Sequence, residues 1–173
     1  MTDNPARLVA EGVEKSLSIA MTWHAWDGRP IAGTVDGRPN VWTPAKALRR
    51  ITDHLIDHLH EVQALLAGAE PLPDEWHGRF VTLDSDWARL TEPDFSEASS
   101  RLRRLARTYL LTYELAGEEA WDASRSPAWT LREIANHGLA CAPVVPRRLS
   151  ITRAPPWISS WFTVHSPAHR PVK

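Results

Sequence analysis

Leu48-Arg49-Arg50-Ile51-Thr52-Asp53-His54 aligns without a gap on Leu131-Arg132-Glu133-Ile134-Ala135-Asn136-His137, and this internal repeat decides how the chain is read. Each copy follows a Trp-Thr pair, Trp42-Thr43 and Trp129-Thr130. A threonine ahead of an apolar-periodic run is a helix start, because its hydroxyl accepts an orphan backbone amide. Pro44 suits the first helical position after Thr43, since its missing N–H is not needed there. Thr130 and Glu133 have the spacing of a reciprocal capping box. The repeat therefore predicts two related helices, each presenting a histidine at the same place. In the first copy Pro44 to Ala47 add about one helical turn before the aligned block.

On the first of these helices His54 and His58 are four residues apart, so their side chains leave one face about a turn apart and can share a metal ion. His60 points elsewhere. A His-x-x-x-His pair alone is more often an exposed polar face than a metal site. The third histidine, His137, at the matching repeat position shifts the balance toward a convergent site. The residue equivalent to His58 in the second copy is Cys141, a candidate fourth ligand that by itself reads better as a small buried hydrophobe. Asp57 and Glu61 are candidates to orient an imidazole or to accept a proton. Three histidines do not choose among zinc, nickel, iron and manganese.

Around this centre the rest of the chain reads as helix, turn and tail. Leu8, Val9, Val13, Leu17 and Ala20 recur at helical spacing, which predicts a first helix from about Pro5 to Met21, ending near Trp23. Asp-Gly-Arg-Pro occurs twice between Trp26 and Asn40, as turn chemistry for a loop or small hairpin. Trp23, His24, Trp26 and Asp27 are candidates to line a pocket mouth but read better as loop packing. The helix begun at Thr43 runs to about Ala67, where Gly68, Pro71 and Pro73 stop it. An irregular connection through Trp76 and Trp87 leads to Asp94 and Glu97, read as a capping box for a helix that extends to about Ala116. Leu102, Leu105, Tyr109, Tyr113 and Ala116 line its inner face. The last helix starts at Leu131 and stops before Pro143.

The chain has 173 residues and is 43% hydrophobic, enough for one domain with a real core. Residues 1–142 are read as that domain. Residues 143–173, with Pro143, Pro146, Pro155, Pro156, Pro167 and Pro171, are read as an irregular or partly disordered tail whose Trp157, Ile158, Trp161 and Phe162 could dock on the helices. A net charge of -1 offers no global attraction to nucleic acid or to an anionic membrane. Arg101, Arg103, Arg104 and Arg107 read as a solvated helix face opposite Leu102, Leu105 and Ala106. His24, His77, His165 and His169 read as solvated. One cysteine and a first segment interrupted by Asp3, Glu11, Glu14 and Lys15 point to a reducing, cytoplasmic setting. Nine tryptophans, some expected to be exposed, and a short last helix point to a homodimer.

Trp42-Thr43 with Leu48 to His58, and Trp129-Thr130 with Leu131 to His137, resemble the DinB-like superfamily, which includes mycothiol-dependent maleylpyruvate isomerases and bacillithiol transferases. The resemblance implies an all-α four-helix bundle over Pro5 to Ala142, with a divalent metal held by three side chains near one end. His54, His58 and His137 would be the ligands. The commoner arrangement takes its lone histidine from the earlier helix and its pair from the last, whereas here the pair comes first. By resemblance the activity is that of a metal-dependent hydrolase or thiol S-transferase acting on a small molecule, with a low-molecular-weight thiol as a candidate co-substrate. The alternative is a non-catalytic, metal-stabilised dimer or a small-ligand binder.

Overall fold

The computed structural model describes residues 3–35, 37–73 and 77–141, with side chains described throughout that set except at positions 77 and 139–141. The expected tail, 143–173, lies outside the described residues. The fold is mostly helical. Helix α1 (Arg7–Ala20) passes into a 3-10 turn (Met21–Ala25), then strands β1 (Ile31–Val35) and β2 (Arg38–Trp42), helix α2 (Pro44–Leu66), a single-turn helix α3 (His77–Phe80) and a second 3-10 turn (Asp84–Trp87). Helix α4 (Glu92–Ala116), the single-turn α5 (Glu118–Trp121) and α6 (Leu131–Cys141) follow. Among the described residues no helix is long and apolar enough to cross a membrane.

Part of the stretch expected as a loop or small hairpin forms a small antiparallel sheet, in which Ile31 pairs with Trp42 and Val35 with Arg38. Between the two strands Gly37 takes a φ of 75°, a conformation that glycine adopts without Cβ strain. The first Asp-Gly-Arg-Pro copy forms a separate loop in which Asp27 accepts the amide and the guanidinium of Arg29.

The helix ends obey local capping chemistry. Thr43 accepts the amide of Lys46 at the start of α2, and at the far end Gly68, at φ 67°, lets the amide of Ala69 reach back to the Ala64 carbonyl at 2.8 Å. Thr130 and Glu133 cap α6 reciprocally, the Thr130 amide reaching the Glu133 carboxylate at 2.8 Å. The start of α4 differs from the sequence expectation. The capping pair is Thr91 with Asp94, not Asp94 with Glu97, because threonine supplies a hydroxyl that both receives the Asp94 amide and meets its carboxylate. Glu97 instead pairs with Arg101 one turn on.

Packing follows the apolar stripes. Val9, Val13 and Leu17 of α1 meet Leu48, Ile51 and Leu55 of α2, Leu102, Tyr109 and Tyr113 of α4, and Leu131 and Ile134 of α6 in one core. The close helix pairs are α1 with α4, α1 with α6, α2 with α4 and α2 with α6. The tryptophans that the structure describes are mostly inside. Trp23, Trp26, Trp42 and Trp121 are buried and Trp129 is half-buried, while Trp87 is 47% exposed. Arg101 and Arg103 lie on the exposed face of α4 and pair with Glu97 and Glu14.

The connection after α2 is less irregular than its composition implies, because polar groups pin it to α2 and β2. Buried Asp86 takes the Arg49 guanidinium through both oxygens, at 3.1 and 2.6 Å, and the Leu83 amide at 2.7 Å. The Thr43 hydroxyl donates to the Asp86 carbonyl. Fully buried Lys46 donates to Asn40 at 2.6 Å and to Thr82 at 2.7 Å, and its ammonium lies 5.1 Å from the Trp42 ring centroid. Burial holds the Lys46 amine below its ordinary pKa, opposed by the Asp86 charge. Asp86→Ala should lower the unfolding free energy by about 2–3 kcal/mol, since it strands a partly buried guanidinium that can regain some water. A urea titration at neutral pH reads this directly, and a change below about 0.5 kcal/mol would place the pinning elsewhere.

Candidate metal centre

The side chains of α2 and α6 meet at their histidines. His54 and His58 leave the core face of α2 one turn apart and are 2% and 3% exposed. His137 arrives from α6 and is half-buried. The ring centroids are 4.4 Å apart for His54 and His58, 5.2 Å for His54 and His137, and 4.9 Å for His58 and His137. One nitrogen from each ring can be chosen so that all three lie within 4.8 Å of one another, close enough to hold a metal ion. Bonds of about 2.05 Å to a tetrahedral ion place ligand nitrogens about 3.4 Å apart, which small χ rotations supply. A set of imidazoles suits zinc, copper, iron and nickel more than magnesium or calcium.

The repeat explains why the rings converge. Leu48 and Leu131, about two turns before His54 and His137, and Ile51 and Ile134, about one turn before them, are buried equivalents. Apolar side chains at those positions fix which face of each helix turns inward, and the histidine three residues after the isoleucine falls on that face.

Glu61 accepts a hydrogen bond from Nδ1 of His58 at 2.7 Å. A carboxylate only accepts, so this contact selects the tautomer with Nδ1 protonated and presents Nε2 as the ligating nitrogen. Asp57 is half-buried on α2 between the two histidines, and its charge is felt by the Tyr109 phenol. The indole of Trp129 walls one side, 4.9 Å from the His137 ring and 6.3 Å from that of His58. Cys141 falls within α6 as the repeat implies, and its side chain lies outside the described residues. His60 is turned away and accepts the Leu72 amide, while His24 is exposed beside Glu92 and Phe95.

Two arginines complete the electrostatics, and neither was singled out from sequence. Arg50, buried on α2, precedes His54 by one turn, so its place was legible from spacing. Arg79 comes from α3, for which the sequence carried no signal. Gly78 lets α3 lie on the α2 backbone: a Cβ there would sit 2.8 Å from Arg50 Cα, and the Gly78 amide donates to Asp53. Burial holds the His54 imidazole well below its ordinary pKa, followed by the positive charge of Arg50 and the neighbouring imidazoles. Burial likewise lowers His137 to about 4, with His58 and Arg50 adding to the effect and Glu61 opposing it. Both rings are therefore neutral at pH 7, the form that ligates metal.

The chain matches no family model, no curated protein and no solved structure.

A depressed folded-state pKa means that the unfolded chain binds protons first as pH falls from about 6.5, the ordinary histidine value, toward about 4. In protein stripped of metal with a chelator, stability should thus be complete above pH 6.5 and decline through this window. Urea midpoints measured from pH 7.5 to 4.5 check the sign. His54→Gln with His137→Gln should flatten the decline, and an unchanged slope would assign it to other groups.

Proposed function

We propose that this chain is a DinB-like four-helix bundle, formed by α1, α2, α4 and α6, that binds one divalent metal through His54, His58 and His137 and acts on a small molecule as a hydrolase or thiol S-transferase. The observation that carries the reading is the convergence of three histidines from two repeat-related helices, two of them deep in the core. The neutral donor set and the carboxylate behind His58 favour zinc or nickel, with iron and manganese as the alternatives. A metal held there supplies Lewis acidity that lowers the pKa of a water or a thiol. Glu61 orients His58, Trp129 excludes water from one side, and the half-buried His137 marks the side from which a substrate approaches.

A second reading is favoured by the near-complete burial of His54 and His58. A metal enclosed so deeply can serve as a structural tie between α2 and α6 without turnover, in a monomer or a dimer. Elemental analysis of tag-free protein beside His54→Ala and His137→Ala tests the shared premise. The wild type should carry near-stoichiometric metal that both variants lose. An enzyme should then lose turnover of thiol-transfer or hydrolase substrates in His137→Ala with little change in melting temperature, whereas a structural tie should lose melting temperature. A wild type that remains metal-free after reconstitution with zinc and with nickel contradicts both readings.

A further inference from the structure

The helix opposite the histidines carries two fully buried phenols one turn apart, Tyr109 and Tyr113 of α4, with ring centroids 6.4 Å apart. Their hydroxyls go to different helices. Tyr109 donates to the Leu55 carbonyl of α2 at 2.8 Å, and Tyr113 donates to the Leu131 carbonyl of α6 at 2.6 Å. Leu55 is the residue after His54, and Leu131 opens the helix that delivers His137, about 9 Å further along at 1.5 Å per residue. A single helix thus holds both histidine-bearing helices through two bonds of fixed length.

We infer that Tyr109 and Tyr113 are positioning residues of the metal centre, setting the spacing of α2 and α6 so that His137 meets His54 and His58 at ligating distance. The inference rests on the metal-binding reading above. A carbonyl inside a helix already accepts the amide four residues on, and its second lone pair takes the phenol. Neither α2 nor α6 therefore needs the tyrosine to satisfy its backbone. Phenylalanine would fill the same volume without burying a hydroxyl, so packing alone does not call for tyrosine at either position. What the hydroxyl adds is a directional distance constraint, applied to the carbonyl beside His54 and to the first turn of α6. Burial raises both phenols far above their ordinary pKa, so the donors keep their protons at any pH at which the protein is handled. Trp121 in turn donates to the Tyr113 carbonyl at 2.8 Å, which ties the end of α4 to the connection that leads to α6.

The test titrates cobalt(II) into metal-stripped wild type, Tyr109→Phe, Tyr113→Phe and the double variant, read by visible absorption well below the melting temperature. Thr91→Ala, which removes the α4 cap away from the phenols, serves as a control of similar modest destabilisation. Each phenylalanine variant should fold but bind cobalt roughly tenfold to a hundredfold more weakly, the range found when groups supporting metal ligands are removed. Its ligand-field bands should also shift, and the double variant should be the most altered. Thr91→Ala should keep the wild-type affinity and spectrum. Phenylalanine variants that match the wild type in affinity and spectrum while losing melting temperature would reduce the tyrosines to packing and overturn the inference, leaving the metal reading intact. A wild type that binds no cobalt would overturn both.

Discussion

The contact between α2 and α6 is the constraint on which the structure turns, because it places three polar rings where the core would otherwise be apolar. Burying an imidazole costs free energy unless its nitrogens are matched, and two of these three are almost wholly removed from water. The surrounding groups respond to that demand. Burial and two nearby guanidiniums keep His54 and His137 neutral, and Glu61 fixes the ring orientation of His58. Leu48, Ile51, Leu131 and Ile134 supply the apolar packing that brings the polar rings together. Hydrophobic burial sets the helix faces, and the histidines lie where those faces meet.

A second set of interactions holds the site's flank. Lys46, Arg49, Asp53 and Asp86 lie along α2 and the turn beside it, and they bind backbone or side-chain groups from residues 78–86. Gly78 permits the approach, since any side chain there would collide with α2. The result brings Arg79 close enough for its charge to be felt at His54 and His137. A segment rich in turn-forming residues is thereby ordered by charge pairing rather than by its own propensity.

Much of this was legible before any coordinates. The gapless repeat identified both histidine helices, and Thr43, Pro44, Thr130 and Glu133 marked where they start. The i,i+4 pair with His137 named the donor set, and Glu61 was one of two carboxylates expected near it. Other features depend on long-range contacts that local patterns do not encode. Arg79 reaches the site only because a glycine lets its helix dock, and the pairing of Asp86 with Arg49 spans 37 positions. At the start of α4 two Thr/Asp-x-x-Asp/Glu spacings overlap, and Thr91 with Asp94 forms the cap, proline being tolerated in a first helical turn. Trp23 and Trp26 pack inward as their loop placement implies, and Trp42 at the end of β2 is buried beside Lys46.

The proposed function requires one metal ion between α2 and α6, bound by nitrogens of His54, His58 and His137. Crystals of the zinc-loaded protein measured on both sides of the zinc absorption edge test it most directly. One dominant anomalous peak is expected within about 2.1 Å of a nitrogen from each of the three rings. A peak bound elsewhere, or none at the histidines under zinc excess, would contradict it.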